Sequence, residues 1–346
     1  MKLEMGSKEK VTDFVENISN KDKVALISHN DLDGITAAKV MTKVISPKEI
    51  FLVDYPELNQ DLAEKLKKTG FNKVVFTDLY IKDRRLIQNL EEFAQVLIID
   101  HHRSEDLNSK KTVFVKGDGY SSGYMCYWLF SDTKKGKDVE KLDWLVACSC
   151  ISDYLHVKPK NWLSKTMKKY GDDTKNWEIY AKKTGKFWDL QYKLSLAIIH
   201  FKDKKEFFYL LKEDFGDIDI FEKYVEEIQK EIGGLVEGFE KRREEFEGGY
   251  FFEINPKFGV KSIVSNIISG LNPKKTIVLI KPKSDIYMIG VRRQDGKVDC
   301  DELLKGLLKG FDNASGGGHI PAAGGHFLKK DLSEVRKRLG LTDKKI

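Results

Sequence analysis

Short apolar runs ending in an acid or a histidine recur along the first part of the chain: Val24–His29, 50–53, Lys73–Thr77 and 96–99. Rich in Val, Ile and Phe and without polar alternation, they predict strands buried on both faces. Between them the spacing turns helical. Ala37, Ala38, Val40, Met41 and Val44 share a face in 35–45, the stretch 58–69 closes on Gly70, and 84–93 is a charged helical stretch. Strand and helix alternating to the fourth strand predict an α/β fold with a doubly wound, mostly parallel sheet. A strand at 112–115, a helix at 121–130 with Tyr124, Tyr127, Trp128 and Phe130 in the core, and one buried helix at 139–152 complete this part.

Beyond it the pattern loosens. Residues 158–193 interleave Trp162, Trp177 and Trp188 with lysines. This predicts a helical segment anchored by its tryptophans, with a single-strand-binding surface as the other reading. The charged, heptad-like stretch 217–246 breaks at Gly233-Gly234 and predicts a connecting helix or helix pair. After Gly248-Gly249, β-type runs return at 251–254, 276–281 and 286–292, so a smaller C-terminal α/β domain is expected. The expected organisation is a catalytic domain 1–212 that includes the Trp-bearing segment, connecting helices 213–248, and a second domain 249–346. A chain of 346 residues is comfortable for two cores.

Composition narrows the classes. No apolar run approaches the ~20 residues that span a bilayer, and the Lys-rich start lacks a signal-peptide core. A soluble, cytoplasmic protein without membrane association is expected. Cys126, Cys148, Cys150 and Cys300 show no Cys-x-x-Cys spacing, and neither a disulfide framework nor a zinc ribbon is indicated. The net charge of +6, from 60 basic and 54 acidic residues, permits a polyanionic partner without requiring one.

The strand ends change the picture. The first leads into His29-Asn30-Asp31-Leu32-Asp33-Gly34, the third into Asp78, the fourth into Asp100-His101-His102, and Asp153 follows the buried helix. Ligands of open α/β sheets gather beyond the carboxyl ends of the strands. A lone Asp there ordinarily caps the next helix, but three acidic strand ends with paired carboxylates and a histidine pair exceed that. Neither Asp31 nor Asp33 is expected to face a core. Oxygen and imidazole donors without cysteine suit Mn²⁺ or Mg²⁺. The carboxylates outnumber the needs of one ion, and two ions about 3.5–4 Å apart, bridged by one aspartate, are the natural arrangement.

In this order the four motifs resemble those of the DHH phosphoesterases, named for the triplet that here is Asp100-His101-His102. The resemblance implies that His29, Asp31 and Asp78 hold one ion and that Asp33, Asp78, His101 and Asp153 hold the other, with Asp78 as the bridge. It further implies that His102 faces the scissile phosphate while Asp100 orients the histidines. His29 stands two residues before Asp31, whereas some branches place that histidine four before and RecJ-like nucleases often carry Asp in the nearer position. Near the C-terminus, Ser315-Gly316-Gly317-Gly318-His319-Ile320-Pro321-Ala322-Ala323-Gly324 resembles the glycine-rich signature of the DHH-associated substrate-binding domain. Consecutive glycines let backbone N–H groups cradle an anion, and His319 can add a hydrogen bond. Arg292 falls where the family has a substrate-binding arginine, and Arg293 beside it is a solvated or secondary contact.

What the resemblance implies is a Mn²⁺-dependent enzyme with two ions, Mg²⁺ being the substitute. It would cleave single-stranded or short oligonucleotides to mononucleotides, as in the RecJ-like and nano-RNase branches. Cyclic-di-AMP and 3′-phosphoadenosine 5′-phosphate are alternative substrates for the same chemistry. A catalytically silent replication or repair scaffold is the reading from another class. The glycine-rich His loop argues against an inorganic pyrophosphatase. An exposed sheet edge or the Gly233-Gly234 helix are the candidate surfaces for a homodimer.

Overall fold

The computed structural model describes residues 1–342, the side chains of residues 180 and 217 excepted. The chain divides into two compact units, Met1–Lys223 and Tyr224–Ile346.

In the first unit, α1 (Lys8–Glu16) precedes the alternation β1 (Val24–His29), α2 (Leu32–Val44), β2 (Glu49–Val53), α3 (Gln60–Lys68), β3 (Lys73–Thr77), α4 (Arg84–Glu91), β4 (Gln95–Asp100) and β5 (Thr112–Lys116). All neighbouring strands pair in parallel, in the order β2-β1-β3-β4-β5. The order reverses between β1 and β3, the position where doubly wound sheets open a crevice. One face of the sheet, with Ala25, Ile27, Val74, Phe76, Val96 and Ile98, packs under Leu62 and Leu66 of α3 and Leu86 and Leu90 of α4. On the other face α2 packs on β1, together with α5 (Ser122–Phe130) and α6 (Asp143–Ser152). Side chains start the helices: Asp31, Asn59, Asp83 and Ser121 each accept a backbone N–H in the first turn of α2, α3, α4 and α5. Gly70, at φ +75°, closes α3 in the left-handed conformation glycine favours.

Four further helices, α7 (Lys160–Lys169), α8 (Asn176–Lys182), α9 (Lys186–His200) and α10 (Lys204–Leu210), follow α6, and α9 packs on α2 and α6. Trp162 lies against Tyr124 and Tyr127, with ring centres at 4.9 and 5.1 Å. Two expectations are corrected here. Residues 139–152 are not one helix, because a 3₁₀ turn, Val139–Leu142, precedes α6. Helix α2 begins at Leu32, three residues earlier than its apolar spacing announced, and draws Asp33 and Gly34 into its buried first turn.

Helix α11 (Glu222–Arg242) runs unbroken through Gly233-Gly234, against the expected interruption. Val225, Ile228, Ile232 and Phe239 give it a continuous buried stripe, and tertiary packing of that stripe outweighs the glycines' low propensity. The second unit then forms β6 (Glu244–Phe246), β7 (Gly249–Glu253), α12 (Lys261–Leu271), β8 (Thr276–Lys283), β9 (Ile286–Arg292), α13 (Cys300–Leu308), β10 (Ser315–His319), β11 (Ala322–Leu328) and α14 (Leu332–Arg338). The sheet order is β10-β11-β9-β8-β7-β6, antiparallel except for β7 with β8. Val278, Ile280, Ile289, Val291 and Phe327 pack under Leu304 and Leu307 of α13 and Val335 of α14, while α12 packs against β8 and β9. The glycine-rich stretch expected as a loop is β10, an edge strand paired with β11. Among the described residues no helix is long and apolar enough to cross a membrane.

Candidate metal centre

The carboxyl ends of β1, β3 and β4 bring the predicted residues of the first unit together. Asp31 caps α2 with Oδ1, which accepts the Gly34 N–H at 3.0 Å, and turns Oδ2 to His29 Nδ1 at 2.9 Å. Asp78 leaves β3 at φ +57°, a left-handed conformation that aspartate tolerates better than most residues. There it is fully buried, with Oδ2 3.6 Å from His29 Nδ1 and Oδ1 accepting the Ser122 hydroxyl at 3.1 Å. His101 Nε2 stands 3.2 Å from Asp78 Oδ1, 3.7 Å from Asp153 Oδ2 and 3.9 Å from Asp33 Oδ2. Beneath this cluster the Ser28 hydroxyl donates to the Gly34 carbonyl and accepts from Thr77 Oγ1, both at 2.7 Å, which ties the ends of β1 and β3 to α2.

Asp33 corrects the expectation that neither aspartate of the first motif faces the interior: it is wholly buried. Its oxygens accept the backbone N–H groups of Ser122 (2.7 Å) and Gly123 (2.8 Å) at the start of α5. The positive end of that helix supplies what makes a buried carboxylate tolerable. Gly34 sits in the same buried first turn of α2. A Cβ there would stand 2.3 Å from the His29 carbonyl, so its closeness serves the packing of α2 on β1.

His102 stands beside His101, with ring centres 4.3 Å apart, and is held from both sides. With its proton on Nδ1 it donates to Asp100 Oδ1 at 2.7 Å, and Nε2 accepts from the Tyr55 hydroxyl at 3.2 Å. Burial, and then the charges of Asp78 and Asp100, push the Tyr55 hydroxyl far above its usual pKa and keep it a donor. Tyr55, Ser122 and Gly123 escaped the sequence reading. The signal for the last two was Ser121-Ser122-Gly123 placed between a strand and a helix, the composition of an anion-binding helix start.

The electrostatics of the cluster call for positive charge. Burial, followed by mutual repulsion among the carboxylates, drives Asp33, Asp78 and Asp153 well above the ordinary range. His29 is disfavoured as a cation by burial, yet Asp31 and Asp78 outweigh that and raise its pKa to about 10. Asp78 Oδ2 and His101 Nε2 are buried with no hydrogen-bond partner among the described residues, although such groups are nearly always satisfied in folded proteins. Three groupings have donor atoms close enough to share an ion: His29, Asp31 and Asp78; Asp33, His101 and Asp153; and Asp78, Asp100, His101 and His102. Asp78 belongs to two of them. Oxygen and imidazole donors with two orphaned atoms fit Mn²⁺ or Mg²⁺.

The second unit carries a separate cleft of about 240 Å³ lined by Lys261, Ser262, Ser265, Arg292, Gly317 and Gly324 among others. Its floor is a row of glycines across three strands, Gly317 opposite Gly324 and Gly324 opposite Gly290. A Cβ on Gly317 would meet nothing nearer than Asp301 Oδ1 at 3.9 Å, so that face of the sheet is open. Gly316 and Gly318 face elsewhere. Their Cβ atoms would strike Leu304 at 2.7 Å and the Ala322 carbonyl at 2.4 Å, so only Gly317 of the triplet lines the cleft. His319 ends β10 exposed. Arg293 is held by Asp295 at 2.7 Å, whereas Arg292 has no ion-pair partner among the described residues. Lys261, which sequence reasoning missed, donates to the Ile289 carbonyl at 3.1 Å. Burial first, then Arg292 and Lys281, lower its pKa. Crowded cations over a bare backbone floor suit an anion.

Residues 23–150 match the model of the DHH family, N-terminal domain. No curated protein sequence matches the chain. Among solved structures, the fold is similar to exonuclease RecJ bound to manganese, with a TM-score of 0.69 and 14% identity over 98% of this chain and 94% of the other. It is also similar to RecJ from Thermus thermophilus in complex with Mn²⁺, at a TM-score of 0.67 and 14% identity, covering 96% of this chain and 53% of that longer one. CDC45 from Entamoeba histolytica gives a TM-score of 0.59 at 12% identity, covering 96% and 97%. At these identities the likeness is one of fold, and the fold is RecJ-like.

Proposed function

We propose that this chain, a member of the DHH family through residues 23–150, is a metal-dependent phosphodiesterase that releases mononucleotides from single-stranded or short oligonucleotides. The observation that carries the reading is the meeting of Asp33, Asp78, Asp153 and His101 around two buried donor atoms that have no hydrogen-bond partner among the described residues. In this reading His29, Asp31 and Asp78 hold one divalent ion, Asp33, Asp78, His101 and Asp153 hold a second, and Mn²⁺ is the working metal. Bound there, the ions supply Lewis acidity that lowers the pKa of water and neutralises charge on the phosphoryl oxygens.

The protein's own groups do the rest. Asp100 fixes the ring of His102, and Tyr55 holds the proton on its other side, so His102 is presented rigidly beside the reacting phosphate. Ser122 and Gly123 keep Asp33 in place through the backbone. In the second unit Arg292 and Lys261 take a further phosphate of the substrate, and the glycine row lets it approach the sheet.

Products from a 5′-labelled single strand, linear pApA, cyclic-di-AMP and 3′-phosphoadenosine 5′-phosphate, each with Mn²⁺, test the proposal. Stepwise mononucleotide release from the linear strands is expected. Asp78→Ala should lose more activity than any other single ligand change, together with bound metal. If the metal-loaded protein cleaves none of the four, or if Asp78→Ala stays fully active, the proposal fails.

A further inference from the structure

The segment after α6 lies outside the residues matched by the family model, yet it holds the chain's entire positive excess. From Lys158 to Lys193 the sequence carries ten lysines against Asp172, Asp173, Glu178 and Asp189, a surplus equal to the +6 of the whole chain, and of these Lys158, Lys169 and Lys193 pair with Asp118, Asp143 and Glu222 outside the segment. The remainder is balanced. Charge so localised attracts a polyanion to one place.

The same region opens with a costly residue. Helix α6 ends in a Schellman turn, in which the Tyr154 N–H donates to the Ile151 carbonyl at 3.1 Å and the Leu155 N–H to the Cys150 carbonyl at 2.9 Å. The left-handed position of this turn is ordinarily glycine. Here it is Tyr154, at φ +60°. A bulky residue in that conformation sacrifices stability, and with Tyr154 58% exposed, burial does not repay it. Strain of this kind concentrates at functional positions, and Tyr154 directly follows Asp153, whose carboxylate faces His101.

Other aromatics surround the turn. Trp188 stands edge-on to Tyr154, with ring centres 6.3 Å apart. Asn176 Nδ2 donates to the His156 carbonyl at 3.1 Å, which ties the loop to the start of α8. The next residue, Trp177, is 59% exposed, and Lys182 Nζ lies 5.3 Å from its ring centre. Any base can stack on such rings because every base has a π-face, and cations beside them meet the phosphates.

We propose that Tyr154, Trp177 and Trp188 are a stacking platform for the bases of a single strand held at the metal centre, with the lysines of 158–193 meeting its backbone. Resting on the phosphodiesterase reading, this assigns the substrate as single-stranded nucleic acid of several nucleotides, since three aromatic side chains on separate elements outnumber the bases of a dinucleotide.

Binding of a fluorescent dodecameric oligothymidylate to the metal-free full chain, read by anisotropy, tests the platform. An abasic strand of equal length is the control. Tyr154→Gly removes the ring at a position where glycine is the favoured residue, and Trp177→Ala acts away from the metal ligands, so neither endangers the fold. Each variant should bind the base-bearing strand about tenfold more weakly while binding the abasic strand as the parent does. Unchanged affinity in both variants, or equal losses on the abasic strand, overturns the platform. Binding is read without hydrolysis, so this result is independent of whether the chain cleaves diesters.

Discussion

Asp33 is bound by the Gly123 backbone at a place where a side chain on Gly123 would have only tight room. The Gly123 N–H donates to Asp33 Oδ1 at 2.8 Å. A Cβ on Gly123 would stand 3.1 Å from that oxygen, 2.8 Å from Thr36 Cγ2 and 2.7 Å from Ser149 Oγ. Gly123→Ala must therefore push α5 away from α2 and α6 and loosen the amides that hold the carboxylate. A loss of about 1–3 kcal/mol is expected from overpacking, together with weaker Mn²⁺ binding. Thermal melting and calorimetric titration measure the two effects. An unchanged melting temperature would mean that α5 shifts freely.

Metal and pH should act together on stability. Burial and mutual repulsion raise Asp33, Asp78 and Asp153 above their unfolded values. A carboxyl group raised in this way contributes fully only below its unfolded pKa of about 4, and the contribution disappears as pH rises through the folded value. The metal-free protein should thus lose stability as pH rises across that window. A divalent ion removes the repulsion, and Mn²⁺ should raise the melting temperature more at about pH 8 than at about pH 5. A larger metal effect at the acidic end would contradict this account of the cluster.

Gly316 and Gly317 are adjacent in sequence and should respond oppositely to the same substitution. Gly317→Val enters open space above the glycine row. The fold should persist, oligonucleotide KM should rise roughly tenfold through a lost charge-assisted phosphate contact, and hydrolysis of a small ester such as a nitrophenyl phosphate should change little. Gly316→Val meets Leu304 and should destabilise the second unit. Equal losses on both substrates by the Gly317 variant, with its fold intact by circular dichroism, would remove the cleft from substrate binding.

Lys39 on α2 offers a test away from the site. Burial, then Lys212 and Lys43, lower its pKa to about 8, while its ammonium donates to the Leu211 carbonyl at 2.6 Å and lies 4.2 Å from the ring centre of Phe208. A lysine depressed on folding binds fewer protons in the native state, so this penalty is full below about pH 8 and fades as pH rises toward the unfolded value of about 10.4. The parent should therefore gain on Lys39→Met across that interval, as measured by denaturant unfolding at each pH. A constant difference between the two would show that Lys39 does not titrate there.

The parallel sheet and its acidic strand ends were legible because both are local. Buried strands write themselves as β-branched runs, and the residue after each run sits at the crevice. The burial of Asp33 was not legible, because its partners Ser122 and Gly123 come from a distant helix. Gly233-Gly234 misled as a helix break because a Cβ at either position meets nothing. These glycines cost only propensity, while the stripe from Val225 to Phe239 supplies the packing. The strand 315–319 was hidden for the converse reason: three glycines carry no β signal of their own, and its pairing with β11 becomes visible only in register.

That strand is exposed along its whole length and hydrogen-bonded to a neighbour on one side only. Each glycine gives up more backbone freedom on ordering than any other residue, and Gly316, Gly317 and Gly318 do so in succession. Peeling β10 from β11 is therefore among the least costly excursions available to this sheet. Hydrogen exchange should show its amides opening well before those of β8 and β9. The outer strand of the glycine-row cleft is then also its most readily opened side, which would give a bound anion a way out that leaves the other strands paired.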